Sequence, residues 1–165
     1  MNLSHLNHTA FIALGSNLQQ PEMQVKNAFL ALEKLPSSKL VKASSLYQTA
    51  PVGFANQPNF INAVAEISTE LSPLELLNAL LNLEKQAGRE RLFANAPRIL
   101  DCDLLLYDDI EMVSEKLTLP HPRMYERGFV LLPLAEIAPN LTSPSGENIV
   151  KSALKHQNQG IKKLA

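Results

Sequence analysis

Asp101 and Asp103 stand two residues apart in the run Ile-Leu-Asp-Cys-Asp-Leu-Leu-Leu-Tyr. On an extended strand such positions share a face, roughly 6.5 Å apart along the chain, while Leu100, Cys102 and Leu104 face the other way. Two carboxylates held side by side against a core repel each other unless one is protonated or a cation lies between them. Carboxylate oxygens suit hard cations, and a site with two of them suits Mg²⁺ that keeps part of its water or takes phosphate oxygens. Two solvated acids on an exposed strand edge would carry the same sequence. The preceding loop, 89–98, brings Arg89, Arg91 and Arg98. Guanidinium groups recognise phosphate oxygens in a forked geometry. Together, the acids and the arginines describe a site for a polyphosphate with its metal. No G-x-x-x-x-G-K-[ST] occurs, so side chains rather than a glycine-rich cradle would hold such a ligand.

Phe60 and Asn62 alternate onto one face of a second strand, where a ring and an amide can stack on a flat heterocycle and read its edge. An aromatic beside a polar residue is also common on any half-buried strand. His121 lies close to Arg123 and Arg127 and can add to phosphate-binding charge. His5, His8 and His156 have no motif around them and read as surface residues. Cys102 alternates onto the apolar face and reads as a buried thiol.

These residues need a scaffold. Apolar spacing predicts helices over 21–35 and 72–88. The second opens on Ser72-Pro73 with Glu75 completing a capping box, and Gly88 suits its left-handed end. Strands are expected at 8–14, 40–49, 60–69 and 99–107, with loops at 51–59, 89–98 and 139–148. The order strand, helix, strand, strand, helix, strand predicts an α+β fold, the ferredoxin-like βαββαβ antiparallel sheet with helices on one face. The apolar run FVLLPLAEI and a short helix near 147–155 are expected to form a C-terminal extension of one domain over 1–165, with frayed ends at 1–8 and 156–165.

Composition narrows the function classes. The chain has 165 residues, 45% hydrophobic and 19% charged, with 15 Lys+Arg against 16 Asp+Glu. Such a balance gives no general surface for nucleic acid or anionic membrane. One cysteine excludes an intrachain disulfide framework. No stretch reaches the ~18 apolar residues of a membrane span, and no secretion signal is evident. A soluble cytoplasmic monomer is the expectation.

GRER at 88–91, APRILDCDLLLY at 96–107 and LTLPHPRMYERGFVLLPL at 117–134 resemble the signature of the 6-hydroxymethyl-7,8-dihydropterin pyrophosphokinases. IALGSNL at 12–18 and YQTAPVGFANQPNFINAV at 47–64 resemble the same family in the same order. The resemblance implies an enzyme that moves the β,γ-diphosphate of ATP onto the hydroxymethyl group of a reduced pterin and releases AMP. It implies two Mg²⁺ ions on Asp101 and Asp103, and Arg89 and Arg98 neutralising the transferring group. Glu84, Arg91, Leu104, Thr118, His121 and Arg127 would complete the ATP site. Phe60 and Phe129 would sandwich the pterin, with Asn62 and the backbone around Thr49, Ala50 and Val52 reading its edge. The segments 51–59 and 89–98 would be lids. Phe60 stands where Tyr is frequent in the family, Leu81 where a Gln is found, and the 89–98 segment lacks the Trp of many members.

Two other classes are compatible with parts of this pattern. A non-catalytic ligand-binding module would share the fold. A metal-dependent phosphohydrolase would share the acids and act without a pterin.

Overall fold

From Ala10 to Gly15 the first strand has no polar side chain. A strand that is apolar on both faces is stable only when both faces are covered. The computed structural model, which describes residues 8–50, 57–88, 99–157 and 159–164, shows this arrangement. Strand β1 (His8–Ser16) is followed by α1 (Pro21–Glu33), β2 (Ser38–Ala43), β3 (Tyr47–Thr49), β4 (Phe60–Thr69), α2 (Pro73–Gln86) and β5 (Asp101–Tyr107). A small hairpin of β6 (Met112–Val113) and β7 (Thr118–Leu119), a 3-10 turn at Met124–Glu126, α3 (Gly128–Ile137), α4 (Ile149–Leu154) and β8 (Lys162–Lys163) complete the chain. The main sheet runs β5-β1-β4-β3-β8, with β2 also paired to β4. All its pairings are antiparallel.

Ala10, Ile12 and Leu14 of β1 pack with Ile61, Ala63, Ala65 and Ile67 of β4 against Val25, Ala28 and Leu32 of α1 and Leu76, Leu80 and Leu83 of α2. Phe11, Ala13 and Val64 face the opposite way, against Val130, Leu131, Leu134 and Ile137 of α3. The two helices of the expected βαββαβ order, α1 and α2, thus share one face, and α3 of the C-terminal run covers the other. The cause is the alternation within β1, whose second apolar face would otherwise meet water. Leu80 is fully buried, and truncating it to Ala would remove about 2–5 kcal/mol of stability.

The α2 boundaries follow from its caps. Ser72 accepts from the Glu75 N–H, the Glu75 carboxylate accepts from the Ser72 N–H, and Pro73 occupies the first turn. Gly88 has φ +92°, a conformation that suits a residue without Cβ. The strand expected over 40–49 is two strands. At the break Ser44 exchanges bonds with Val64, and Ser45 turns its N–H to the Glu136 carboxylate of α3. The carboxy-terminal end, expected to fray, instead carries β8, which pairs with β3 through Tyr47↔Lys163 and Gln48↔Lys162.

Candidate active site

Strand register sets the site. Gly15 of β1 lies opposite Asn62 on β4 and opposite Asp101 on β5. Ala13 lies opposite Val64 and Asp103, and Thr49 of β3 lies opposite Phe60. These residues share the α3 face of the sheet. With strands about 4.8 Å apart, Asn62 and Asp101 stand roughly 10 Å from each other, separated by a glycine. The small residues Ala13 and Gly15 leave a depression between two walls. Its cavity of about 470 Å³ is lined by Phe60, Asn62, Thr49 and Ala50 on one side and Asp101 and Asp103 on the other. Arg127, Phe129 and Val130 from the start of α3 close it from above. Gly15 leaves the Asn62 amide its place, because a Cβ would lie 3.1 Å from Asn62 Oδ1 and push it by a few tenths of an ångström.

The acceptor side is ordered by hydrogen bonds. Asn62 is buried and donates from Nδ2 to Thr49 Oγ1 at 2.9 Å. The Arg127 guanidinium carbon lies 5.7 Å from the centre of the Phe129 ring, within cation–π range. Phe60 and Phe129 are both half-buried, so each keeps exposed ring surface.

The acidic side depends on an edge strand. β5 ends the sheet, so its outer main-chain groups need partners from elsewhere. Glu84, on the last turn of α2 and 2% exposed, accepts the Cys102 N–H at 2.7 Å. Cys102 is the residue between the two aspartates, so this bond fixes the segment that carries them. Further along the same edge, the His121 N–H donates to the Leu105 carbonyl at 2.9 Å. That bond anchors the Pro120–Arg123 segment beside β5. His121 Nδ1 accepts the Arg123 N–H, which leaves Nε2 to carry the ring proton in the neutral form. Burial and then the Arg127 charge hold His121 below the ordinary histidine range, against the opposite pull of Asp101, so the ring is neutral at pH 7.

The two carboxylates fit a hard divalent cation by donor type and by their shared, half-buried face. Among the described residues no group of three or more His, Cys, Asp or Glu could hold a metal ion. Phosphate oxygens and water would therefore have to complete the coordination.

The structure gathers Asp101, Asp103, Arg127, Thr49, Ala50, Phe60, Asn62 and Phe129 around one cavity. His121 stands close enough to Asp101 and Arg127 to feel both charges. Thr118 is half-buried on the β6–β7 hairpin and does not line the cavity. The Leu104 side chain is 2% exposed within the α1–α2 core, so only its main chain could meet a ligand. Glu84 likewise presents its carboxylate to a strand N–H. Arg89, Arg91, Arg98 and Val52 lie outside the described residues, as do 51–56 of the first expected lid and the whole of 89–98. Sequence reasoning missed Gly15, Gln159 and Ile161, all of which line the cavity. Gly15 stood in the sequence only within the IALGSNL resemblance at 12–18, and the two tail residues carried no local signal at all.

The model of the family 7,8-dihydro-6-hydroxymethylpterin-pyrophosphokinase (HPPK) matches residues 11–139. A 2-amino-4-hydroxy-6-hydroxymethyldihydropteridine pyrophosphokinase of Haemophilus influenzae is 44% identical over 156 residues, 94% of this chain and 98% of that protein. A protein of the same name from Pseudomonas aeruginosa is 42% identical, over 93% of this chain and 95% of its own length. Among solved structures, wild-type Plasmodium falciparum HPPK-DHPS superposes with a TM-score of 0.69 at 15% identity. That match covers 91% of this chain but only 44% of the longer one, and it bears on the fold alone. An antiparallel sheet between helical layers is thus a fold shared with a solved HPPK-DHPS protein. The chain belongs to the 7,8-dihydro-6-hydroxymethylpterin-pyrophosphokinase family.

Proposed function

We propose that this chain transfers the β,γ-diphosphate of ATP to the hydroxymethyl group of 6-hydroxymethyl-7,8-dihydropterin in folate biosynthesis. The alcohol oxygen bonds to the β-phosphorus, the bond from that phosphorus to the α-bridging oxygen breaks, and AMP leaves with the electron pair. The alcohol proton is released. The observation that carries this reading is the rung Asn62–Gly15–Asp101, which sets an amide beside exposed ring surface across from paired acids in one cavity.

In this reading Phe60 and Phe129 hold the flat bicycle by its faces. Asn62 and the main chain at Thr49, Ala50 and Val52 select its edge. Asp101 and Asp103 would hold Mg²⁺, two ions in the full assembly. When bound, the metal would offset phosphate charge and orient the reacting oxygens. Arg127 faces the cavity and would bind phosphate, with neutral His121 donating from Nε2. Arg89, Arg91 and Arg98 are proposed to close over the triphosphate and offset charge on the departing AMP. Thr118 and the main chain at Leu104 would border the nucleotide. Glu84 contributes by holding Cys102. Little covalent work falls to the protein, so positioning and charge dominate the rate.

The strand order supports the ferredoxin-like arrangement, with α3, α4 and β8 as its extension. The protein is read as a monomer, and an ATP-dependent step suits the cytoplasm. Among the described residues no helix is long and apolar enough to cross a membrane.

The test is AMP formation from ATP and Mg²⁺ with and without the pterin. AMP that appears only with the pterin, together with a diphosphorylated pterin, is the expected result. Phosphate or diphosphate released at the same rate without the pterin would assign a hydrolase instead.

A further inference from the structure

The carboxy-terminal segment lies beyond residue 139, where the family match ends. Its sequence, His156 to Ala165, is mostly polar, and no chemistry is evident in it. The structure nevertheless ties it to the rim of the cavity at four places. His156 Nε2 bonds the Tyr125 carbonyl at 2.9 Å. The Gln159 amide bridges the His156 ring, at 2.7 Å from Nδ1, and the Gly128 N–H, which it accepts at 3.1 Å. Lys162 and Lys163 pair with β3, and the Leu164 N–H donates to the Leu46 carbonyl at 2.8 Å.

Contact with α3 is close. A Cβ on Gly128 would stand 2.6 Å from Ile161 Cδ1, 2.8 Å from Gln159 Oε1 and 2.9 Å from His156 Cβ. Gly128 is therefore the notch into which the tail fits. Its neighbours in sequence are Arg127 and Phe129, both of which line the cavity. Gln159 and Ile161 line it as well, while β8 extends the sheet beyond the β3 residues Tyr47–Thr49.

We propose that the carboxy-terminal segment is a wall of the pterin pocket, with Ile161 an apolar contact for the bound bicycle and Gln159 a positioning residue that fixes Phe129 through the Gly128 N–H. This rests on the reading of the cavity as the pterin site. The tail approaches the Phe60–Phe129 side, away from the Asp101–Asp103 wall, so it acts on the pterin and not on the nucleotide.

The experiment measures KM for the pterin and for ATP, kcat and the melting temperature in the full chain, for Ile161→Ser, Ile161→Val, Gln159→Ala, Gly128→Ala and Asn62→Ala. The expected result is a pterin KM raised about tenfold in Ile161→Ser and Gln159→Ala with the ATP KM within about twofold. Ile161→Val should restore most of the pterin affinity. Gly128→Ala, which dislodges the tail from the other side of the contact, should reproduce the pterin effect. If Asn62→Ala weakens the pterin while the tail variants do not, the tail is no wall and the pocket reading stands. If none of the variants changes the pterin KM, both fall. Equal loss of both affinities together with a lowered melting temperature would reduce the tail to a structural role and overturn the proposal.

Discussion

Glu84 accepts the main-chain N–H of Cys102 at 2.7 Å, at the one residue that separates Asp101 from Asp103. The carboxylate comes from the end of α2 and is 2% exposed, and the N–H comes from the open side of an edge strand. Two elements that the chain separates by the 89–98 segment are joined at the point where the acids must be held.

Glu84→Ala should therefore cost more than a nucleotide contact. It leaves a buried N–H without its acceptor, worth about 1–3 kcal/mol of stability. It should also lower kcat by loosening the aspartate pair. Glu84→Gln keeps an acceptor oxygen and should lose less of both. Denaturant melts and steady-state rates measured side by side check this, and equal losses in the two variants would count against the positioning role.

Asp101→Asn and Asp103→Asn should each abolish turnover, a loss of several orders of magnitude, with the fold retained. Circular dichroism melts with the AMP assay separate loss of chemistry from loss of fold. Near-normal turnover in both variants would remove the metal assignment.

Gly15→Ala and Phe129→Ala probe the acceptor side. The added Cβ at position 15 must displace Asn62 Oδ1 by a few tenths of an ångström, and Phe129→Ala removes one stacking face. Each should weaken the pterin by about 1–3 kcal/mol, roughly 5- to 150-fold, and leave ATP nearly unaffected. Fluorescence titrations with each ligand measure the split; a matching loss of ATP affinity would contradict it.

Much of this arrangement is legible in local patterns. The Ser72-Pro73-Glu75 cap sets the start of α2, and alternation in 60–69 assigns Phe60 and Asn62 to one face and Ile61 and Ala63 to the other. The spacing of Asp101 and Asp103 already places them together. The α3 layer was harder to read, because Phe129–Ile137 is apolar at every position but Glu136 and contains Pro133, which removes a helical donor and reads as a break. Its role lay in β1, whose continuous apolar run required a cover on each face. Glu84 and Cys102 are 18 positions apart and Gln159 and Gly128 are 31 apart, so neither bond has a local signature. The slip between Phe11 and Ile12 sends Leu105 and Leu106 both toward α3, which strict alternation would not give.

Acid stability offers an independent check on the β3–α3 contact. Burial pushes the Glu136 carboxyl up, but bonds from Tyr47 and Ser45 and the Lys163 charge outweigh it and hold the group below its ordinary value of 4.5. A carboxyl depressed in the folded state adds stability above its unfolded pKa and loses it as pH falls through the folded one. Glu136→Gln should therefore lose stability at pH 6–7 and show a shallower further loss between about pH 5 and the folded pKa. Melting temperatures over that range, compared with the parent chain, measure it. Parallel profiles would show that Glu136 does not contribute.

The most direct measurement is a crystal structure with Mg²⁺, a non-hydrolysable ATP analogue blocked between the α- and β-phosphates, and the pterin. Metal on the carboxylates of Asp101 and Asp103, the β-phosphorus over β1, and the pterin between Phe60 and Phe129 with its edge on Asn62 are the expected result. Carboxylates turned away from the metal, or a pterin bound elsewhere, would contradict it.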